Sequence, residues 1–306
     1  MINVVFSGQG AQFVGMGLDF YNSNDMCRDL FDKANTQLGY AITDICFNGP
    51  EQALNQTQHT QVAIFILSAC IFEVIRPSIS ISSIAGHSLG EITAYYAAGV
   101  LDFNSALQIV IKRGELMGQA AKENPGKMAA IIGLSDNEIS NALSTISDVG
   151  IANYNSPVQY VISGAASSVD SAMGALRDAG AGRVIELPVS GAFHSPLMKH
   201  AVAPFQTFLD NFEFKSATVP IVLNRSAKPE QNAAALKQNL SEQIQSPVRW
   251  VETIEFLSQQ SLSFVEVGPG KVLSGLIKKI NRQASVQFTS TVENVDANFG
   301  LKTNDV

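Results

Sequence analysis

Charged side chains, cysteines, histidines and long apolar runs are all scarce in this sequence. Only 15% of its 306 residues are Asp, Glu, Lys or Arg, and the acidic ones outnumber the basic ones, 27 to 20. With a net charge of −7 and a pI near 5.1, the chain lacks the basic footprint that phosphate backbones and anionic membranes require. A general nucleic-acid or membrane-surface role is therefore set aside, leaving room only for a local basic patch. Cys27, Cys46 and Cys70 are widely spaced and form no C-x-x-C. They signal neither a metal site nor a disulfide framework and read as reduced core thiols. The longest apolar run, VAIFILSACIF at 62–72, is too short to span a bilayer. MINVVFSGQG has no basic n-region, so no signal peptide is expected and a cytoplasmic enzyme is the default expectation.

Apolar residues, by contrast, are plentiful. They make up 46% of the chain, and mean hydropathy is +0.12. That supports a large buried core in one large or two ordinary domains. INVVFSG reads as a buried parallel-type strand ending in a glycine turn. Helices are expected over 25–39 and 60–74, a short strand over 80–85, and a helix over 89–98 stopped by Gly99. Asn104 is expected to cap a long helix, SALQIVIKRGELMGQAAK. At Glu123-Asn124-Pro125-Gly126 the elements become short. KMAAIIGL, VGIANYN, QYVISG and RVIELPV read as strands, with helices DNEISNALSTI and SSVDSAMGALRDAG between them. This β-α-β-β-α-β order is the ferredoxin-like split pattern. The expected organisation is a discontinuous α/β domain, 1–123 and 191–306, built on a parallel sheet, with 124–190 inserted as a small domain. The polar end, ENVDANFGLKTNDV, is expected to fray.

AGHSLGE at 85–91 contains Gly86-His87-Ser88-Leu89-Gly90, a G-x-S-x-G between a strand and a helix. Such a turn can lift a serine into a cleft. A serine nucleophile is most often activated by histidine, and the chain has four: His59, His87, His194 and His200. His87 adjoins the serine and reads as a packing or turn residue. His59 lies in a polar loop and His200 on a helix surface. His194 lies between a strand and a helix whose start is well specified by Ser195 and Pro196. Such junctions are where α/β proteins place active sites, although a loop histidine bonded to backbone fits equally well.

Arg113 falls on one helical stripe with Ala106, Val110 and Met117. A guanidinium on a core-facing stripe needs an anion, either a structural carboxylate or a ligand's. Two glycine motifs fail as nucleotide sites. GQGAQFVG (8–15) has Phe13 where G-x-G-x-x-G needs glycine, and EVGPGKVLSG (266–275) is not a P-loop. Both read as tight turns.

GQGAQ (8–12), GHSLGE (86–91), KRGELM (112–117), NYNSP (153–157), GAFHSPLM (191–198), QIQSPVRW (243–250) and EVGPGKVLSGL (266–276) occur in this order. In that set the chain resembles the malonyl-CoA:acyl-carrier-protein transacylases and the acyltransferase domains of fatty-acid and polyketide synthases. The resemblance implies an α/β-hydrolase-like large domain with an inserted ferredoxin-like domain. It implies acyl transfer without a cofactor or metal, with malonyl-CoA and the phosphopantetheine thiol of acyl carrier protein as substrates. By position, Ser88 matches the acylated serine, His194 its base and Gln243 the group accepting the other imidazole N–H. Gln12 and Leu89 match the oxyanion-hole amides, and Arg113 the arginine that pairs with the malonyl carboxylate. Asn153 and Asn155 match polar positions near the site. Ala11 stands where serine is common in the family. Lys271, Lys278, Lys279 and Arg282 form a basic stretch expected to dock the acidic carrier protein, or to be a solvated helix face. A monomer is the default. The alternatives are a free-standing acyltransferase serving a polyketide synthase and an α/β-hydrolase-type esterase. The latter lacks its HGGG-type loop here.

Overall fold

The computed structural model describes residues 1–301. Its strands are β1 (Ile2–Phe6), β2 (Ile81–Gly86), β3 (Gly126–Ile132), β4 (Val149–Ser156), β5 (Gln159–Ala165), β6 (Arg183–Glu186), β7 (Ile221–Val222), β8 (Pro229–Glu230), β9 (Ser263–Val267) and β10 (Ser285–Phe288). Six form one sheet in the order β10-β9-β1-β2-β7-β8. All neighbours in it are parallel except β7 and β8. The uninterrupted apolar character of β1 follows from its place in the middle. Val4 and Phe6 enter the cluster that contains helix Thr57–Ile75, while Val5 joins Ala85, Val222 and Trp250 in another. A strand covered on both faces needs no polar alternation. Helix Thr57–Ile75 is apolar enough by composition to cross a membrane, but 83% of its apolar window is buried inside the chain, so core packing accounts for that composition.

The other four strands make an antiparallel sheet in the order β4-β5-β3-β6. Helices Asp136–Leu143 and Ala166–Asp178 cover one face, packing Ile139, Val169 and Leu176 against Ala129, Ile131 and Ile162. This is the β-α-β-β-α-β succession read from the sequence. The alternate residues Met128 and Val161 belong to the large cluster instead, so this sheet presents its second face to the rest of the chain. Main-chain bonds tie the two bodies together. Tyr154 N–H donates to the Val248 carbonyl at 2.9 Å, and Val248 N–H to that of Ala152 at 2.8 Å.

Three expectations are corrected. The long helix is Phe103–Glu123, and its cap is Asp102, not Asn104. The Asp102 carboxylate reaches the Ser105 N–H at 2.9 Å, and a carboxylate caps as well as an amide. The strand expected over RVIELPV ends at Glu186: Arg183–Glu186 pairs with β3, Leu187 N–H makes one last bond to the Met128 carbonyl at 2.9 Å, and the chain then turns away. The C-terminal stretch does not simply fray. Val292–Phe299 is a helix capped by Thr291, with Val295 buried and Phe299 and Leu301 packed on the core. The rest of that stretch, 302–306, lies outside the described residues.

Candidate active site

β2 delivers the chain to Ser88 at the carboxyl end of the sheet, and helix Gly90–Ala97 leads away. Ser88 lies at φ 51°, a left-handed conformation that side chains disfavour. The flanking glycines make this turn possible. A Cβ on Gly86 would lie 1.9 Å from the Gly90 carbonyl group, and one on Gly90 would lie 2.3 Å from the Phe6 oxygen. Gly8 has the same constraint, since its Cβ would fall 2.3 Å from the His87 oxygen. The GQG loop is thereby pressed against the serine turn.

Ser88 Oγ lies 2.7 Å from His194 Nε2, bridging 106 positions of sequence. His194 is also left-handed, at φ 57°, and only 5% exposed. Its Nδ1 lies 3.1 Å from the Gln243 carbonyl oxygen and 2.9 Å from that of Ser246. Carbonyls only accept, so Nδ1 carries the proton and Nε2 is free to receive one from Ser88. Burial, reinforced by the nearby Arg113 charge, lowers the imidazole to about 3, so it is neutral and ready as a base. The histidine is reached through the loop after β6, which turns at Val189 N–H→Leu187 O. Ser195 then caps the turn at Pro196–Met198.

Arg113 projects from helix Phe103–Glu123 and is 1% exposed. Nη1 donates to Gln61 Oε1 at 2.8 Å, and Nη2 donates to Ser88 Oγ and Gln243 Oε1, both at 3.0 Å. No carboxylate pairs with it among the described residues, and its Nε has no acceptor. Burial lowers it to about 10, partly opposed by the Glu91 charge. It remains a cation, held by neutral oxygens that an anion could displace. The Gln243 side chain does not reach the histidine. Its Nε2 donates to the Ser88 carbonyl at 2.9 Å, and only its main-chain oxygen meets the imidazole.

A cleft of about 250 Å³ opens beside Ser88 and His194. One wall comes from the antiparallel sheet through Met128, Ala130 and Val161, and another from Leu187, Val189 and Phe193. Asn153 and Asn155 line it from β4, and Asn155 Oδ1 lies 2.9 Å from His87 Nε2. His87 also lines the cleft, its ring set edge-on to Trp250 at 5.3 Å. Among the described residues, the N–H groups of Gln12 and Leu89 meet no acceptor. The Gln12 side chain instead braces the loop, accepting from Gly10 N–H at 2.8 Å and donating to Asn55 at 2.7 Å. Lys271, Lys278, Lys279 and Arg282 are exposed on and just after helix Val272–Ile280. Lys271 sits over the Phe288 ring at 5.8 Å, Lys278 bonds the Ala284 carbonyl, and Lys279 reaches Gln159, a cleft residue on β5, at 2.9 Å.

Sequence reasoning missed three parts of this site. Gln61 had a signal, as the amide that directly precedes the apolar run at 62–72 of its helix. The Ser246 carbonyl had none, because any residue supplies one. Asn224 had none either, although its amide bonds the Ser88 N–H and the Gly86 carbonyl, the main chain leading into the nucleophile.

Residues 4–297 match the acyl transferase domain family. The chain is 40% identical over 301 residues to the malonyl CoA-acyl carrier protein transacylase of Bacillus subtilis strain 168, across 96% of this chain and 95% of that one. The crystal structure of an acyl carrier protein S-malonyltransferase from Vibrio cholerae matches with a TM-score of 0.93 and 38% identity, across 97% and 99%. A malonyl-transacylase solved with its type II polyketide synthase acyl-carrier protein matches with a TM-score of 0.94 and 37% identity, across 98% and 99%. With agreement along nearly the whole chain in both sequence and fold, this protein belongs to the malonyl-CoA:acyl carrier protein transacylase family of acyl transferases.

Proposed function

We propose that this chain transfers a malonyl group from malonyl-CoA to the phosphopantetheine thiol of acyl carrier protein through malonyl-Ser88. The observation that carries the reading is Arg113, a buried cation without a carboxylate partner among the described residues, 3.0 Å from the Ser88 oxygen. An esterase of neutral acyl groups has no use for such a charge beside its nucleophile. A malonyl carboxylate can take the place of the neutral acceptors and bond the guanidinium bidentately.

In the first half-reaction His194 Nε2 takes the Ser88 proton while Oγ attacks the thioester carbonyl. The oxyanion is held by the N–H groups of Leu89 and Gln12. The first of these opens a helix whose dipole also favours negative charge. As the C–S bond breaks, His194 returns the proton to sulfur and CoA leaves as the thiol. In the second half the carrier thiol gives its proton to His194 and attacks malonyl-Ser88, and the proton then restores the serine. Arg113 has a further effect. Its charge helps depress the imidazole, so pairing it with malonate strengthens the base once the correct acyl group has arrived. An acetyl group leaves the guanidinium without its anion, and sites of this kind discriminate by roughly 10⁴–10⁵.

The carrier protein as acceptor is supported by the family and by the related transacylase captured with one. Fatty-acid and polyketide carriers present the same thiol, and this site serves either. The exposed basic residues 271, 278, 279 and 282 supply the charge that an acidic carrier needs.

The test is intact-protein mass after incubation with malonyl-, methylmalonyl- or acetyl-CoA. Malonyl-CoA is expected to leave an adduct on the native chain and none on Ser88→Ala. The adduct persists until a carrier thiol is added. Rapid clearance by water would point to an esterase, and transfer surviving in Ser88→Ala overturns the reading. Glutamate at both Lys278 and Lys279 is expected to slow the carrier step and weaken its salt dependence, with acylation by malonyl-CoA unchanged.

A further inference from the structure

Ser88 needs something to hold it in the left-handed region, because a residue with a Cβ relaxes out of it when free to do so. The holding group lies outside the G-x-S-x-G motif. Ser88 N–H donates to Asn224 Oδ1 at 2.7 Å, and Asn224 Nδ2 donates to the Gly86 carbonyl at 2.6 Å. One side-chain amide thus brackets His87, satisfying the Gly86 carbonyl and the Ser88 N–H where the chain enters the nucleophile turn. Asn224 is fully buried just after β7. Its own main chain is pinned at both ends. Its N–H donates to Glu91 Oε2 at 2.6 Å, and its carbonyl accepts from Arg249 N–H at 2.9 Å.

Glu91 closes the circuit. It lies in the first turn of the helix that the serine turn launches, it is fully buried, and no cation pairs with it among the described residues. Its other oxygen accepts from Asn239 Nδ2 at 2.6 Å. A buried carboxylate held only by amides is costly to keep, and here its bonds end on the residue that grips the nucleophile. There is a chemical consequence as well. Asn224 consumes the Ser88 N–H, so the next unclaimed amide is that of Leu89. The clamp therefore selects which main-chain donor is left for the reacting carbonyl.

Resting on the reading of Ser88 as nucleophile, we propose that Asn224 is a positioning residue for transacylation. It holds Ser88 in the turn that aims Oγ at His194, and Glu91 is the strut that holds Asn224. Neither residue touches substrate. The cleft and Arg113 are built from other elements, so losing the clamp acts on kcat and leaves KM for malonyl-CoA nearly unchanged.

Asn224→Ala is expected to lower kcat per folded molecule about 100-fold, the scale of a misplacement near 1 Å. A residue that only stabilises the fold would lower the melting temperature and leave kcat per folded molecule intact. Asn224→Asp changes one group and gives a sharper signature. Ionised, the new carboxyl repels the Gly86 carbonyl; protonated, it restores the acceptor–donor pair. The titratable and charged groups around it are Glu91 on the helix, His87 in the serine turn, His194 against Ser88, Arg225, Lys228 and Glu230 on its own hairpin, Glu242 paired with Arg225, Arg249 on the following segment, and Arg113 behind the serine. Activity of this variant relative to native at the same pH is expected to rise as pH falls, with KM flat. Glu91→Gln is expected to retain more kcat than Glu91→Ala. Asn239, whose Oδ1 has no partner, can turn over to accept from the new amide. Native kcat in folded Asn224→Ala, or no pH-dependent recovery in Asn224→Asp, overturns the proposal. If neither Asn224 variant folds, equal kcat in Glu91→Gln and Glu91→Ala overturns it. Ser88→Ala run alongside separates the two ideas. Transfer surviving there removes the nucleophile itself, whereas a dead Ser88→Ala beside native-like clamp variants removes only the clamp.

Discussion

The two residues that meet at the centre of the site, Ser88 and His194, are both left-handed, and they are held by opposite means. The serine turn is held by residue type. Gly86 and Gly90 admit contacts at which a Cβ would come within 2.3 Å of another atom, and a side-chain amide from Asn224 spans the bend. The histidine is held mainly by main chain. Its N–H donates to the Ile244 carbonyl at 3.1 Å, and its ring is oriented by the carbonyls of Gln243 and Ser246. A nucleophile turn can therefore be broken by changing one small side chain. The base's support survives most substitutions that leave the 243–246 turn intact.

The largest effect should come from breaking the serine side. In Gly90→Ala the new methyl meets the Phe6 and Ser7 oxygens at 2.3 and 2.9 Å. These belong to β1 and the residue after it, so nothing nearby can move without disturbing the sheet. The expected loss is at least about 3 kcal/mol, the upper end for overpacking. Denaturant unfolding reads it directly. A Gly90→Ala protein of native stability would show that the turn has slack that the geometry denies.

The same contrast explains what was legible in the sequence. The serine turn was readable because glycines and a serine at fixed spacing are residue types. The antiparallel sheet was readable because short strands and helices alternate with distinct periodicities between 126 and 186. Arg113 was readable as a charge on an apolar stripe. The orientation of His194 was not readable from local pattern: the resemblance named Gln243, but not that its main-chain oxygen, together with that of Ser246, does the accepting. A carbonyl belongs to every residue, and the course of the chain at 243–246 depends on tertiary packing that no local pattern encodes. Asn224 was hidden for a related reason, since its importance comes from meeting a turn 136 residues away. The cap at Asp102 was misplaced because two capping residues stand two positions apart.

The pH dependence of stability tests the histidine side. The unfolded imidazole takes its proton near 6.5 and the buried one only near 3. Protonation therefore favours unfolding. The fold is unaffected by this group above about 6.5 and weakens as pH falls below it, by about 1.4 kcal/mol per pH unit down to about 3. Glu91 acts in the opposite sense. Burial raises it from 4.5 to about 7, so its contribution weakens the fold as pH rises across that interval. Comparing native protein with His194→Gln isolates the histidine. Thermal melting between pH 6.5 and 4.5 should decline more steeply toward acid in the native chain. Identical acid slopes would mean that the imidazole is not held neutral by its surroundings.

The smallest effect sharpens the contrast most, because it separates two roles that meet in one residue. Gln243 offers His194 only its main-chain oxygen, while its side chain bonds Arg113 at 3.0 Å and the Ser88 carbonyl at 2.9 Å. Gln243→Ala keeps the carbonyl and removes the amide. Two buried hydrogen bonds are lost, and each is worth about 1 kcal/mol net. The expected result is a fall in kcat/KM of roughly ten-fold for malonyl-CoA, on the scale of one such bond. The loss should be smaller for acetyl-CoA, which does not use the arginine. The acid limb of the pH profile should not move, because the imidazole keeps both carbonyls. A loss of roughly 10²–10⁴, the range for a missing acid–base group, would instead mean that the side chain orients the base. In that case the base, like the nucleophile, would be held by residue type.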